Sequence, residues 1–267
     1  MKITLGLAQC SHPEKTTYRD AVALVEQWCE RASARGVDLL VFPESLMTRY
    51  EVEEQCFLEA AQPLGGPFCH DVESAAARFG IGIVYTVNEL NPSGGNPYNT
   101  VVLVDGTGTR RGVYRKVHLF DTDFTHESDR MSAGDALIDP IESPYGAIGL
   151  AICYDLRFPE VARHAALAGA QLMLYPAAWV DGRLKADQWK TLLAARAIEN
   201  EMFVAGVCRA DEGYIAQSCV FGPDGALLAS GGAREGLVVA EIDYDAIAQV
   251  RAAMPLLDHR RPELYGD

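Results

Sequence analysis

The 267-residue chain is 49% hydrophobic and 22% charged, a composition that supports a sizeable buried core. Its formal net charge of −14 excludes an extended basic face, and with it nucleic acid or an anionic membrane as partner. No apolar run approaches the ~20 residues of a membrane-spanning helix, and MKITLGLAQC reads as a strand rather than a signal-peptide core, so the expected location is the cytoplasm.

In chain order, KITLGLAQ alternates as a strand does, and YRDAVALVEQWCERASARG has apolar residues at helical spacing with a stop at Gly36. VDLLVF reads as a short buried strand that ends at Pro43 and Glu44, and CHDVESAAARFG as a helix stopped by Gly80. The strands IGIVYTVNEL, YNTVVLVD and RGVYRKV follow, with Asp105-Gly106 as a hairpin signal between the last two. The second half repeats the theme. AIGLAIC is a strand, FPEVARHAALAG a helix, AQLMLYP a buried strand and ADQWKTLLAARAIEN an amphipathic helix. MFVAGVC, QSCVFG and LVVAEID are strands, with a Pro223-Asp224-Gly225 turn after the second, and a short helix spans residues 244–253. No linker or low-complexity segment divides the halves, so residues 1–267 read as a single domain. Hairpins imply antiparallel pairing and strand–helix–strand units imply parallel pairing. The expected fold class is α/β, with one or two mixed sheets and helices outside.

Seven cysteines (10, 29, 56, 69, 153, 208 and 219) are odd in number and lack C-x-x-C spacing, which speaks against a disulfide framework. The histidines form no H-E-x-x-H or close Cys/His cluster, so no metal is expected. Most of these thiols, Cys208 and Cys219 among them, read as small buried hydrophobes.

Three residues differ from that background because each stands at the end of an expected strand: Glu44, Lys116 and Cys153. Ligands of open α/β sheets bind beyond the carboxyl ends of strands. A thiol where a strand turns into a helix meets free backbone N–H groups that favour a thiolate and can hold an oxyanion. A carboxylate accepts its proton and an ammonium stabilises the charge that develops, which makes a nucleophile, a base and an electrostatic stabiliser. Read as isolated residues, strand-end glutamates and lysines such as Glu44 and Lys116 belong more often to solvated loops than to a catalytic site.

The segments VFPE (41–44), YRKVHLF (114–120) and AICYDLRFPE (151–160) resemble, in order and separation, the three signature segments of the nitrilase superfamily of carbon–nitrogen hydrolases. WKTLLAARAIEN (189–200), the first two helices and the tail HRRPELYG (259–266) extend the likeness over almost the whole chain, which looks most like the Nit-type amidase branch of ω-amidases and deaminated-glutathione amidases. The resemblance implies a four-layer αββα sandwich, Glu44 as base, Lys116 as oxyanion stabiliser and Cys153 as nucleophile. It implies a second glutamate between lysine and cysteine, for which Glu127 in FTHES is the candidate, and the Tyr154 backbone N–H as an oxyanion donor. It implies no cofactor and a homodimer or larger homo-oligomer. The apolar face of ADQWKTLLAARAIEN serves equally for such an interface or for packing within one chain.

The reaction expected on these grounds is hydrolysis of a small linear amide, the ω-amide of a 2-oxo acid or a related carboxylate-bearing amide, through a Cys153 thioester. Nitrile and N-carbamoyl hydrolysis use the same three residues. A Cys–His hydrolase would instead need a histidine such as His118 at Cys153. A scaffold that keeps the fold without the chemistry is the non-enzyme reading. Among secondary candidates, Tyr50 reads as a pocket wall or a half-buried loop aromatic, and Trp179 as pocket wall or core. Arg157 reads as a brace paired with Asp155 or Glu160, or as the holder of a substrate carboxylate. His126 and His164 read as solvated or structural, and DGTGTRRG (105–112) as a turn rather than a phosphate loop.

Overall fold

The computed structural model describes residues 1–12, 17–47 and 58–265. Tyr50 lies outside the described residues. The first sheet has the strand order β12-β1-β2-β3-β4-β5. Here β1 is Lys2–Gln9, β2 Leu39–Val41, β3 Gly82–Glu89, β4 Tyr98–Val104, β5 Arg110–Arg115 and β12 Gly236–Asp243. Helix α1 (Tyr18–Ser33) carries the chain from β1 to its parallel neighbour β2, and α2 (Pro67–Phe79) lies between β2 and its parallel neighbour β3. Strands β3, β4 and β5 then pair antiparallel.

The second sheet repeats this plan in the order β11-β10-β9-β8-β7-β6. Its strands are β6 (Ile141–Ser143), β7 (Gly146–Leu150), β8 (Leu172–Ala177), β9 (Phe203–Cys208), β10 (Cys219–Phe221) and β11 (Leu227–Ser230). The parallel strands β7, β8 and β9 are joined through α3 (Pro159–Leu167) and α4 (Lys185–Asn200). Helix α5 (Asp245–Ala253) follows β12.

The two-residue period of a strand sorts its side chains between two cores. Leu39, Val41, Leu5 and Leu7 face the space between the sheets, where they join Ile148, Leu150, Leu172 and Leu174. Leu40 and Phe42 face the other way, against Val25 and Trp28 of α1 and Phe68 of α2. Trp189 and Leu193 of α4 cover the second sheet. The layers are therefore helix, sheet, sheet, helix, as expected. At Gly206 in β9 a side chain is impossible without repacking, because an added Cβ would fall 2.7 Å from Leu193 and closer still to Trp189.

One expectation needs correction, two strands were not foreseen, and one open alternative is decided. Strand β2 is shorter than VDLLVF: the ladder ends at Val41, just before Pro43, which has no N–H to donate. Strands β6 and β11 carry no alternating signal, since they are short edge strands with little buried surface. The apolar face of α4 turns inward, with Trp189, Leu193 and Ala197 buried, and buries the polar Arg196 and Asn200 beside them. No helix among the described residues is long and apolar enough to cross a membrane. DGTGTRRG forms the β4–β5 turn, where Asp105 accepts the backbone N–H groups of Thr107 (2.8 Å) and Thr109 (3.1 Å).

Candidate active site

The parallel strands of both sheets end on one side of the molecule, and the candidate residues follow those ends. Glu44 comes three residues after β2, Lys116 directly after β5, Cys153 three after β7 and Trp179 two after β8. Glu44 is held in place by its neighbours on β3. The Thr86 hydroxyl donates to the Pro43 carbonyl (3.3 Å) and accepts the Leu46 N–H (3.1 Å), which clamps the turn on either side of the carboxylate. Ser45, within that turn, has φ +60°, and Cys153 has φ +46°. Left-handed backbone at a non-glycine residue costs about 1–3 kcal/mol and persists only where surrounding structure enforces it. At Cys153 the enforcing contacts surround the short 3-10 helix Cys153–Arg157. The Asp155 carboxylate accepts the Ile152 N–H at 2.9 Å, and Arg196 of α4 donates to the Leu156 carbonyl at 2.9 Å.

The side chains converge on one carboxylate. Glu44 Oε1 accepts from Lys116 Nζ at 2.9 Å and from Asn99 Nδ2 at 2.8 Å, and Oε2 accepts the Ala178 N–H at 2.8 Å. The Cys153 thiol is hydrogen-bonded to the same group. The Ala178 contact joins the two sheets, since Glu44 belongs to the first and Ala178 to the second. Lys116 Nζ also donates to Glu127 at 2.8 and 3.0 Å, and the Phe120 N–H fixes Glu127 Oε2 at 2.7 Å. All four predicted residues are buried: Glu44 is 1% exposed, Lys116 2%, Glu127 8% and Cys153 9%.

Burial decides the charge states together with pairing. It opposes the Glu44 carboxylate, yet the Lys116 charge and the donated hydrogen bonds outweigh it and hold the group below its ordinary value. Burial also opposes the Lys116 ammonium, but Glu127 and Glu44 push its pKa well above the ordinary range. The Cys153 thiol is driven well up, by burial first and by the Glu44 charge second. The resting site is thus carboxylate, ammonium and neutral thiol.

Cys153, Glu44, Lys116 and Glu127 line a cavity of about 180 Å³, with Tyr154, Trp179, Phe120, Arg130, Arg157 and Lys185 among its other walls. The Tyr154 ring packs edge-on against Phe120 and Phe158. Trp179 is both wall and core: it lines the cavity, is 4% exposed and leans on Trp189 at 5.1 Å between ring centroids.

Arg157 does not brace the turn through Asp155 or Glu160. Asp155 is occupied by Tyr114 and His118, and Arg157 instead donates to Gln188 (3.0 Å) and lies over the Trp179 ring. His118 is committed elsewhere too, with Nδ1 2.8 Å from Asp155 and its ring stacked on Phe158 at 3.6 Å. It lines a separate shallow concavity with Val117 and Leu137. His164 forms an exposed pair with Asp139, while Cys208 and Cys219 are fully buried, with burial pushing both thiols up to about 12.

Asn99 escaped the reading of the sequence. Its backbone carbonyl accepts the Lys116 N–H at 2.9 Å while its side chain reaches Glu44, so it spaces base and ammonium. The one available signal was a lone amide near the start of the apolar strand YNTVVLV. Ser45 and the Ala178 N–H act through backbone and left no signal in composition.

Residues 4–252 match the family model described as carbon-nitrogen hydrolase. The chain is 34% identical over 231 residues to a deaminated glutathione amidase of Escherichia coli O157:H7, covering 86% of this chain and 87% of that protein. It is 33% identical over 259 residues to the omega-amidase NIT2 of Danio rerio, covering 92% and 91%. Among solved structures, a carbon-nitrogen hydrolase from Helicobacter pylori G27 superposes with a TM-score of 0.92 at 25% identity, covering 100% of this chain and 98% of that one.

Proposed function

Since the chain belongs to the carbon–nitrogen hydrolase family, whose members cleave carbon–nitrogen bonds other than peptide bonds, we propose that it is a thiol-dependent amidase of the Nit type. Its substrate is a short linear amide bearing a carboxylate, the ω-amide of a 2-oxo acid or a close relative. The observation that carries this reading is the sharing of Glu44 between the Cys153 thiol and the Lys116 ammonium at the floor of one cavity.

The mechanism follows from the charge states. As Cys153 Sγ approaches the amide carbon, its proton passes to Glu44 and the C–S bond forms. The carbonyl oxygen takes up negative charge beside Lys116 and, by analogy with the family, the Tyr154 N–H. Glu44 returns the proton to nitrogen, the C–N bond breaks and ammonia leaves a Cys153 thioester. Water then attacks the thioester, Glu44 accepts its proton, and the carboxylic acid departs as the thiol is restored. Glu127 keeps Lys116 charged and aimed. The family names of the relatives and the cations on the cavity wall favour a carboxylate-bearing amide over a nitrile. We place the enzyme in the cytoplasm and expect a homodimer or larger assembly.

The test is ammonia release from 2-oxoglutaramate, 2-oxosuccinamate, deaminated glutathione, aliphatic amides, an N-carbamoyl amino acid and an aliphatic nitrile, each beside Cys153→Ala. Release from ω-amides that vanishes in the variant is expected. Release only from the carbamoyl compound or the nitrile would overturn the substrate class. Silence throughout, with Cys153 inert to alkylation, would favour the scaffold reading.

A further inference from the structure

We propose that Asn99 is a positioning residue of the reaction: with Lys116 it occupies Oε1 of Glu44, so that Oε2 is the atom that takes the Cys153 proton and later returns it. The proposal rests on the amidase reading and adds to it the oxygen through which the base acts.

The two oxygens of Glu44 are held from different layers. Oε1 accepts from Asn99 Nδ2 on β4 at 2.8 Å and from Lys116 Nζ, directly after β5, at 2.9 Å, and both strands belong to the first sheet. Oε2 accepts the Ala178 N–H at 2.8 Å, from the end of β8 in the second sheet. Cys153 follows β7, the parallel neighbour of β8, so the thiol belongs to the layer that fixes Oε2. Each carboxylate oxygen offers about two lone-pair sites. Asn99 and Lys116 fill those of Oε1, and a proton arriving from sulfur is accepted at Oε2.

Asn99 does this without a charge of its own. Its amide faces Glu44 Oε1 and, at 3.5 Å, Glu127 Oε1; ionised carboxylates only accept, so the NH2 end is the one that meets them. Lys116 donates to the same two oxygens at 2.9 and 3.0 Å, which closes a ring of two donors and two acceptors. Asn99 is buried, and its backbone carbonyl accepts the Lys116 N–H at 2.9 Å, so one residue ties both the base and the ammonium to β4. Protonation of Oε2 breaks none of these bonds, because Oε1 becomes the carbonyl oxygen of the acid and keeps both donors.

The proton's route then needs no rotation of Glu44. In the first step the S–H bond breaks as the C–S bond forms, the proton goes to Oε2 and the carbonyl π pair goes to oxygen. In the collapse that pair returns to carbon, the Oε2 proton passes to nitrogen, and the C–N bond breaks with its electrons on the departing ammonia.

The experiment follows wild type, N99L and N99A on 2-oxoglutaramate across pH. Beside it runs an infrared titration of Glu44 in each protein, the acid C=O band being identified by its loss in E44Q. N99L keeps the volume of the side chain and N99A opens space, so a result shared by both belongs to the lost amide rather than to packing. Lys116, Glu127, Cys153 and Cys208 are the ionisable groups set around Glu44 among the described residues, and both variants retain them. A donor to a carboxylate favours its charged form. Without Asn99, the acid limb of kcat/KM and the infrared midpoint are therefore expected to move together to higher pH. The plateau value of kcat is expected to fall about 10- to 100-fold with KM little changed, because the proton now also settles on Oε1, turned away from sulfur and nitrogen. A stronger base with intact aim would hold or raise kcat, so a shifted limb with undiminished kcat would overturn the directing role. A lower kcat with limb and midpoint unmoved would overturn it too, leaving Asn99 a packing residue. Silence of all three proteins would count against the amidase reading; the seat of Asn99 on Glu44 would then stand on an infrared midpoint raised in both variants and fall on an unchanged one.

Discussion

Lys116 Nζ stands 2.9 Å from Glu44 Oε1, and both groups are sealed from solvent. A buried pair of this kind is a weak source of net stability, because desolvation consumes most of the attraction. Its value lies in chemistry. The ammonium weakens Glu44 as a base at rest and stands ready for the oxyanion, so proton transfer from Cys153 is favoured only as the C–S bond forms. Four predictions follow from that arrangement and from the fold around it.

Cys153 rests as a thiol. Burial and the Glu44 charge both raise its pKa, well above the ordinary ~8.5. Alkylation of Cys153 by iodoacetamide, followed by mass spectrometry, is expected to be slow at neutral pH and to climb steadily into the alkaline range. A plateau between pH ~5 and ~8 would mean a preformed thiolate and an ion pair unlike the one described here.

Removing Lys116 has two separable costs. Lys116→Ala deletes an oxyanion partner, which lowers kcat about 100- to 1000-fold. It also strands Glu44 and Glu127 as adjacent buried carboxylates, which destabilises the fold by about 3–5 kcal/mol at neutral pH. Because Lys116 is what holds the Glu44 pKa down against burial, that carboxyl takes up a proton more readily without it, and the melting deficit should shrink at low pH. A deficit independent of pH would contradict this account.

Glu127→Gln moves the alkaline limb. Burial lowers the Lys116 pKa, whereas Glu127, ahead of Glu44, raises it. Loss of the Glu127 charge lets that pKa fall. The descending alkaline limb of kcat/KM is therefore expected at lower pH than in wild type. A pH–rate profile that loses amplitude without shifting would confine Glu127 to an aiming role.

Asp105 tests the fold away from the site. Burial opposes its ionisation, but donors from Thr107, Thr109 and Arg111 prevail and depress its pKa to about 2. A depressed carboxyl stabilises the native state above its unfolded pKa of ~3.9, and that contribution is lost as pH falls towards about 2. Asp105→Ala should cost about 2 kcal/mol in chemical denaturation at pH 7 and about a third of that at pH ~2.5, with kcat unchanged. Equal destabilisation at both pH values would assign the loss to packing.

The chain's own order of residues determined the alternation of strands and helices, the hairpin at Asp105-Gly106 and the ends at which Glu44, Lys116 and Cys153 stand. Those features are local: hydrophobic period, turn chemistry and chain breaks act within a few residues. Three motifs in order also carried the family likeness. Tertiary structure decided what distance along the chain conceals. Glu44 and Lys116 are 72 positions apart, and Glu44 and Ala178 are 134. The strand order within the first sheet makes the first pair neighbours, and the packing of one sheet on the other makes the second. The same packing turned Arg157 from its near acids to Trp179 and Gln188, because Asp155 was already taken by Tyr114 and His118 from the facing layer. Edge strands β6 and β11 were invisible for the converse reason: half-exposed and short, they need no pattern of their own and form where a neighbour offers its free ladder. Charge states belong to this second group as well, since desolvation and the Glu44–Lys116–Glu127 contacts exist only once both layers have closed around them.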